Sequence, residues 1–432
     1  MQKAIINTKR TGGIMAALLI TLSAVSGWAE EDQSWRERLS ANYQTEVTGF
    51  TEIRSGWRLA DDPHEDDDSI NEMRLQLDLN KEFTRATLKL KGDLVGDLVD
   101  EETRAELREF NLQFSPLEIM DVKLGRQVNT WGTGDLLFIN DLFPKDWESF
   151  FIGRDDEYLK GPSCAVKSSL FFGIFDLDLV YMPRVAPSVY IDGSRISYWN
   201  SMLGRTAGQD FVFADQQRDN FGSDFEFASR LAKSIGSTEV ALYGYYGFWK
   251  TPEGMIPATN LLYYPRLAVY GASLRAPMLG GIGNLELGFY DSLEDRDGAD
   301  PLIRNSEWRL LTGFEHELAR NLTGGIQYYL EYMQDYNAYE LTAGPTPKDE
   351  YRHLLTMRLT KLMMNQNLRL SLFVYYSPSD QDSYLRPKFN YKITDRWTVD
   401  GGFNLFFGAE PHTFFGQFED NNNAYAGLRW NF

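Results

Sequence analysis

Tyr425-Ala426-Gly427-Leu428-Arg429-Trp430-Asn431-Phe432 ends the sequence and decides how the rest is read. At period two, Ala424, Ala426, Leu428, Trp430 and Phe432 share one face. Tyr425, Gly427, Arg429 and Asn431 share the other. Strict alternation of this kind belongs to a strand with one apolar and one polar side. The sequence then stops on an aromatic residue. The same pattern is clearest upstream, where Met73, Leu75, Leu77 and Leu79 oppose Arg74, Gln76, Asp78 and Asn80. Lys81 to Thr84 turn the chain, and Ala86, Leu88 and Leu90 continue opposite Thr87, Lys89 and Lys91. One face suits hydrocarbon and the other is ionic. A soluble core would reject the ionic face, whereas a water-filled lumen would accept it.

Outward from these two stretches, strands and breaks alternate along the whole chain. A first strand falls at roughly 41–60, ahead of the pair just described. The rest fall at roughly 106–115, 120–128, 163–172, 175–185, 224–235, 238–250, 265–277, 283–292, 306–318, 322–335, 350–363, 368–378, 383–394, 397–408 and 423–432. That makes about eighteen, an even number, as a closed barrel with both ends on the periplasmic side requires. Short connections alternate with long ones, apart from the short outer connection 379–382. The expected fold is all-β: a transmembrane antiparallel up-and-down β-barrel of about eighteen strands over residues 30–432. No plug domain and no repeat beyond the hairpin period is visible.

Residues 1–29 read as a cleaved signal peptide. Lys3, Lys9 and Arg10 precede an apolar run from Ile14 to Val25, and Gly27-Trp28-Ala29 is a small-x-small cleavage site. The run is too short for a stable membrane helix. No cysteine follows it, so a lipid anchor is not expected. With 62 acidic and 43 basic residues the net charge is −19, which argues against a nucleic-acid partner. The single cysteine, Cys164, can form no disulfide within the chain and reads as a small packed residue. Aromatic residues make up 14%, and Trp308, Phe314, Tyr351, Tyr391, Trp430 and Phe432 sit near strand ends as interfacial girdles would.

The connection 129–160 is the most informative. It holds Trp131, Leu136, Leu137, Phe138, Ile139, Asp141, Phe143, Trp147, Phe150 and Phe151, an apolar density unusual for an outer loop. Such side chains need a dry place, which folding into the barrel would provide while narrowing a pore. Packing over the mouth as a lid, or against lipopolysaccharide, is the alternative.

Two segments carry a family resemblance. The closing strand with its terminal Phe432, and Trp430 before it, resembles the assembly signal of Gram-negative outer-membrane barrels. Gly125-Arg126-Gln127, Trp131-Gly132 and the following Asp and Pro-x-Asp resemble a segment of alginate-export-like porins and their relatives. The resemblance implies an eighteen-stranded outer-membrane barrel with a constricted, charged lumen, inserted by the barrel-assembly machinery among outer-membrane lipid and lipopolysaccharide. The anionic-polysaccharide substrate does not transfer, because the pore residues do not match one by one. Strict alternation from Val122 and Leu124 places Arg126 towards lipid, and a bulge at Gly125 would turn it inward.

The alternation also assigns a lumen face. Arg74, Lys89, Lys91, Lys123, Arg309, Arg352, Arg358, Arg369, Arg386, Lys388, Lys392 and Arg429 all oppose apolar positions, against the acids Asp78, Asp93, Asp121, Glu286 and Glu315. A basic lumen would concentrate anions, so an anionic small-molecule or polysaccharide solute is expected. The same bases could instead neutralise acids on an infolded loop, and both can hold at once. The acidic runs Asp61–Asp68 and Asp291–Asp300 lack the spacing of a calcium loop and read as solvated. His64, His316, His353 and His412 stand at no catalytic spacing from a nucleophile, and no cofactor or metal motif is present. The expected function is a non-enzymatic channel. A receptor or structural anchor with a closed pore stays open as the second reading, and oligomeric state cannot be read from the sequence.

Overall fold

The computed structural model describes residues 4–5, 44–218, 220–344 and 346–432. The expected signal peptide therefore lies, apart from Ala4–Ile5, outside the described residues. Eighteen antiparallel strands form one closed barrel. They are β1 Thr45–Arg58, β2 Asp68–Phe83, β3 Ala86–Asp97, β4 Glu102–Leu117, β5 Met120–Val128 and β6 Pro162–Phe171. β7 Asp176–Met182, β8 Glu226–Ile235, β9 Thr238–Phe248, β10 Arg266–Met278, β11 Gly281–Ser292 and β12 Glu307–Ala319 follow. The last six are β13 Leu322–Met333, β14 Tyr351–Met363, β15 Leu368–Ser377, β16 Asp382–Lys392, β17 Trp397–Gly408 and β18 Asn423–Asn431. Each pairs with the next, and β18 returns to β1 with Asn431 opposite Phe50 and Asn423 opposite Arg58. Closure satisfies every strand edge, the condition for crossing hydrocarbon with strands. At the seam, backbone hydrogen bonds join Gly49 and Phe432 in both directions, at 3.0 and 2.9 Å.

The expected strands match the observed ones closely, to the residue in β5 (120–128) and β17 (397–408). Their faces match too. In β2, Glu72, Arg74 and Gln76 are buried inside while Leu77 is exposed outside. In β1, Glu52 and Arg54 turn in while Ile53 and Trp57 turn out. Trp308 and Tyr351 stand exposed on the outer wall.

No bulge occurs at Gly125 to turn Arg126 inward. Leu124, Gly125 and Arg126 pair without interruption with Leu112, Asn111 and Phe110. The irregularity lies one strand away, where β4 inserts an extra residue between Leu107, opposite Gly92, and Glu109, opposite Lys91. That bulge presents the Leu107 carbonyl to Arg126, whose Nε donates to it at 2.5 Å, so Arg126 stays on the outer face. Gly125 has φ +124°, and a Cβ there would lie 2.2 Å from the Phe110 carbonyl oxygen. Gly125→Ala is expected to cost about 1–3 kcal/mol through this strain. A lower urea midpoint of the refolded barrel checks it; an unchanged midpoint refutes it.

Candidate functional site

The connection 129–161 does not sit over the mouth. It runs into the lumen and is tied to the wall on several sides. Its first turn is held by Glu286 of β11, whose carboxylate accepts from the Thr133 and Gly134 N–H groups and from Asn140 Nδ2 at 2.9 Å. Asn284 donates to the Thr133 carbonyl at 2.8 Å. Tyr290 and Tyr375 hydroxyls donate to the Ile139 and Leu136 carbonyls at 2.5 and 3.0 Å. Gln327 of β13 grips Asp135, accepting from its N–H at 2.7 Å and donating to its carbonyl at 2.9 Å.

A helix, α1 Trp147–Ile152, then crosses towards β16–β18. Asp146 caps it by accepting from the Ser149 N–H at 2.8 Å, and Gly153 ends it in the left-handed region at φ 87°. Its aromatic side chains meet lumen-facing ones: Phe151 lies 5.5 Å from Tyr384, 5.2 Å from Phe406 and 5.1 Å from Phe418 between ring centroids. Tyr384 and Phe406 stack at 4.3 Å. The residues expected to form a constriction are thus drawn into one cluster. Phe143, Phe150 and Phe151 are buried, Trp131 packs edge-on against Phe143, and Phe138 meets Trp147. Asp141 is buried against Lys145 at 3.0 Å and accepts from the Thr130 hydroxyl. Burial pushes the Lys145 amine below its ordinary pKa, against the pull of Asp141. At this level the barrel encloses a hydrophobic core, the dry place that the apolar density of this connection called for.

The basic residues read as pore-lining are inward-facing, and eleven of the twelve are ion-paired. Arg74 meets Glu72 and Asp93, Lys89 and Lys123 meet Glu109, and Lys91 meets Glu157. Arg309 meets Glu307 and Arg352 meets Asp380. Arg358 meets Asp135, and both Arg386 and Lys388 meet Asp156. Arg429 joins Glu52 and Asp155, while Lys392 holds Asp395 in the turn after β16. Only Arg369 has no carboxylate within 4 Å among the described residues.

The expectation that acids are few on this surface is therefore corrected. Glu52, Glu72, Asp97, Glu109, Glu226, Glu307 and Asp400 are also buried on the inner face. Alternation would have found them, since Glu72 shares the parity of Arg74, and Asp97 that of Lys89 and Lys91. Their loop partners carry no such periodicity. Arg154, after α1, donates to Glu72 at 2.9 Å through Nε. Arg195, from the long connection 183–225, reaches Asp97 at 2.6 Å and Asp100 at 2.9 Å. With Arg74 and Arg104, these side chains form one buried network that fixes two outer connections to β2, β3 and β4. Burial alone would lower the Arg154 pKa, but Glu72 and Glu148 outweigh it and hold it well above the usual arginine value. At Asp156 burial pushes the carboxyl up, yet Arg386 and Lys388 win and keep it below the usual carboxylate range.

Two solved structures set the architecture in context. OccD3 (OpdP) of Pseudomonas aeruginosa superposes with a TM-score of 0.53 at 10% identity, over 90% of this chain and 91% of that one. The likeness is one of fold, a closed antiparallel β-barrel. OccAB3 of Acinetobacter baumannii gives 0.54 at 10% identity, over 90% of this chain and 99% of that one. No family model matches the sequence. No curated protein matches it either.

Proposed function

We propose that this protein is an outer-membrane diffusion channel whose size limit is set by the infolded connection 129–161. The observation that carries the reading is the anchoring of that connection across the lumen, from Glu286 and Gln327 on one wall to Glu72 on the other. A segment tied down on both sides narrows a passage without a moving part. The leader peptide, the barrel-assembly machinery and surrounding lipopolysaccharide belong to the same proposal.

Anion preference is the finer part. Most basic side chains in the lumen are neutralised, so the preference rests on those left free. Arg275 and Arg369 face the lumen below the infolded connection, and neither has a carboxylate within 4 Å among the described residues. They stand on the wall from β10 to β16 beside Arg358 and Lys388, which Asp135 and Asp156 neutralise, and against Glu315. Free cations on a confined wall lower the barrier for anions. Arg275→Glu combined with Arg369→Glu is expected to move the reversal potential in a potassium chloride gradient towards cations. An unmoved potential removes the anion preference.

One observation favours the closed-pore reading: Arg195 ties the long 183–225 connection to Asp97 and Asp100 at the end of β3. Liposome swelling separates the two. A channel admits small sugars, and a receptor or anchor with a closed pore admits none.

A further inference from the structure

Beneath the turn of the infolded connection lies an open cavity of about 70 Å³, lined by Asp135, Arg275, Gln327, Thr356, Arg358 and Phe373 among others. Arg358 Nη2 and Asp135 Oδ1 meet across it at 2.8 Å, with 37% and 35% of their side chains exposed. This pair is unlike the others that join the connection to the wall. In Arg154–Glu72, Lys91–Glu157, Arg386–Asp156, Lys388–Asp156 and Arg429–Asp155, one partner is at most 19% exposed. Only Asp135–Arg358 leaves both partners accessible. Gln327 also holds the Asp135 backbone from both sides, so the position of the residue does not depend on its carboxylate. The carboxylate is a tethered anion resting on a guanidinium that solutes can reach.

We infer that Arg358 is an anion-binding station of the lumen for small carboxylates, and that Asp135 is its resident competitor. The inference rests on the channel reading. A solute carboxylate takes the guanidinium fork in place of Asp135, beside the face of Phe373, over which Arg358 lies at 5.3 Å. Asp135 then sets the affinity: it discourages anions from lodging and keeps the passage from being blocked by its own solute.

The test uses the full-length barrel in planar bilayers, with chloride as carrier and acetate as the competing carboxylate. Asp135→Asn is expected to raise chloride-over-potassium permeability several-fold and to let acetate inhibit the chloride current at lower concentration. Arg358→Gln is expected to abolish acetate inhibition, and the double variant to match Arg358→Gln alone. That equality is decisive, because a through-space charge effect of Asp135 would persist without Arg358. Additive effects, or an Asp135→Asn channel identical to the native one, overturn the inference.

Wild-type protein gives an independent readout. Asp135 faces Arg358, Glu315 and Asp156, and burial raises its pKa against the pull of Arg358. Anion preference should rise as pH falls into the carboxylate range and should rise less in Asp135→Asn. Equal pH profiles also overturn it. Wild-type protein that carries no current sinks the channel reading itself, whereas a conducting wild type with an indifferent Asp135 sinks only this station.

Discussion

Deletion of residues 134–152 is expected to raise single-channel conductance several-fold while leaving the barrel intact. The wall holds itself: each of the eighteen strands is paired on both sides, and no ladder runs through the connection. The deleted stretch contains Ile139, Phe143, Phe150, Phe151 and Ile152, all buried inside the lumen. Its loss opens their volume to water and exposes Tyr375, Tyr384 and Phe406 on the wall. Exposing apolar side chains costs stability, roughly 1.5–3 kcal/mol for each one fully uncovered. The urea midpoint should therefore fall even as current rises. Heat-modifiable migration on a gel confirms a folded barrel, and planar-bilayer recording gives the conductance. An intact barrel with unchanged conductance would place the narrowest point elsewhere, under the 183–225 connection.

This result would test the part of the molecule that the sequence showed least clearly. Alternation reports only which face a side chain occupies, and that was enough for eighteen strands, because a one-residue slip would swap hydrocarbon and water along an entire strand. The apolar density from Leu136 to Phe151 also showed that this connection needed a dry home. Alternation could not show what meets the inner face. Whether Arg386 and Lys388 stand free or neutralise acids of the infolded loop is decided only when Asp156 is brought to them across 230 and 232 residues. Arg195 carries no signal at all, since neither it nor the connection it belongs to has a period. Glu72 and Asp97 were legible by parity, and overlooking them made the lumen look more basic than it is. The same limit applies to Gly125, where the sequence pointed to a local anomaly and the structure places it on the neighbouring strand, between Leu107 and Glu109.

Among single substitutions, those in the buried network around Glu72 carry the largest expected loss of stability. Its carboxylate serves Arg74 at 3.1 Å, Arg104 at 3.3 Å and Arg154 at 2.9 Å, and all four side chains are at most 8% exposed. Glu72→Ala leaves three guanidiniums close together with one fewer counter-charge, and unpairing buried charge costs about 3–5 kcal/mol. Arg154→Ala removes one positive charge from the same group. Arg74 and Arg104 remain to neutralise Glu72, so the expected cost is smaller. The two variants should also differ in kind. Arg154→Ala detaches the end of the infolded connection from β2 and should make the current noisier. Glu72→Ala should mainly lower the urea midpoint. Acid should reproduce part of the Arg154→Ala behaviour by another route. The Asp156 carboxyl is depressed in the folded protein, so its contribution to docking is present above the ordinary carboxylate pKa and is lost as pH falls through the depressed value. Current noise that grows on acidification in native protein, and grows less in Asp156→Asn, is the expected outcome. Equal noise in native protein, Arg154→Ala and Asp156→Asn at every pH would show that these ion pairs do not hold the connection in place.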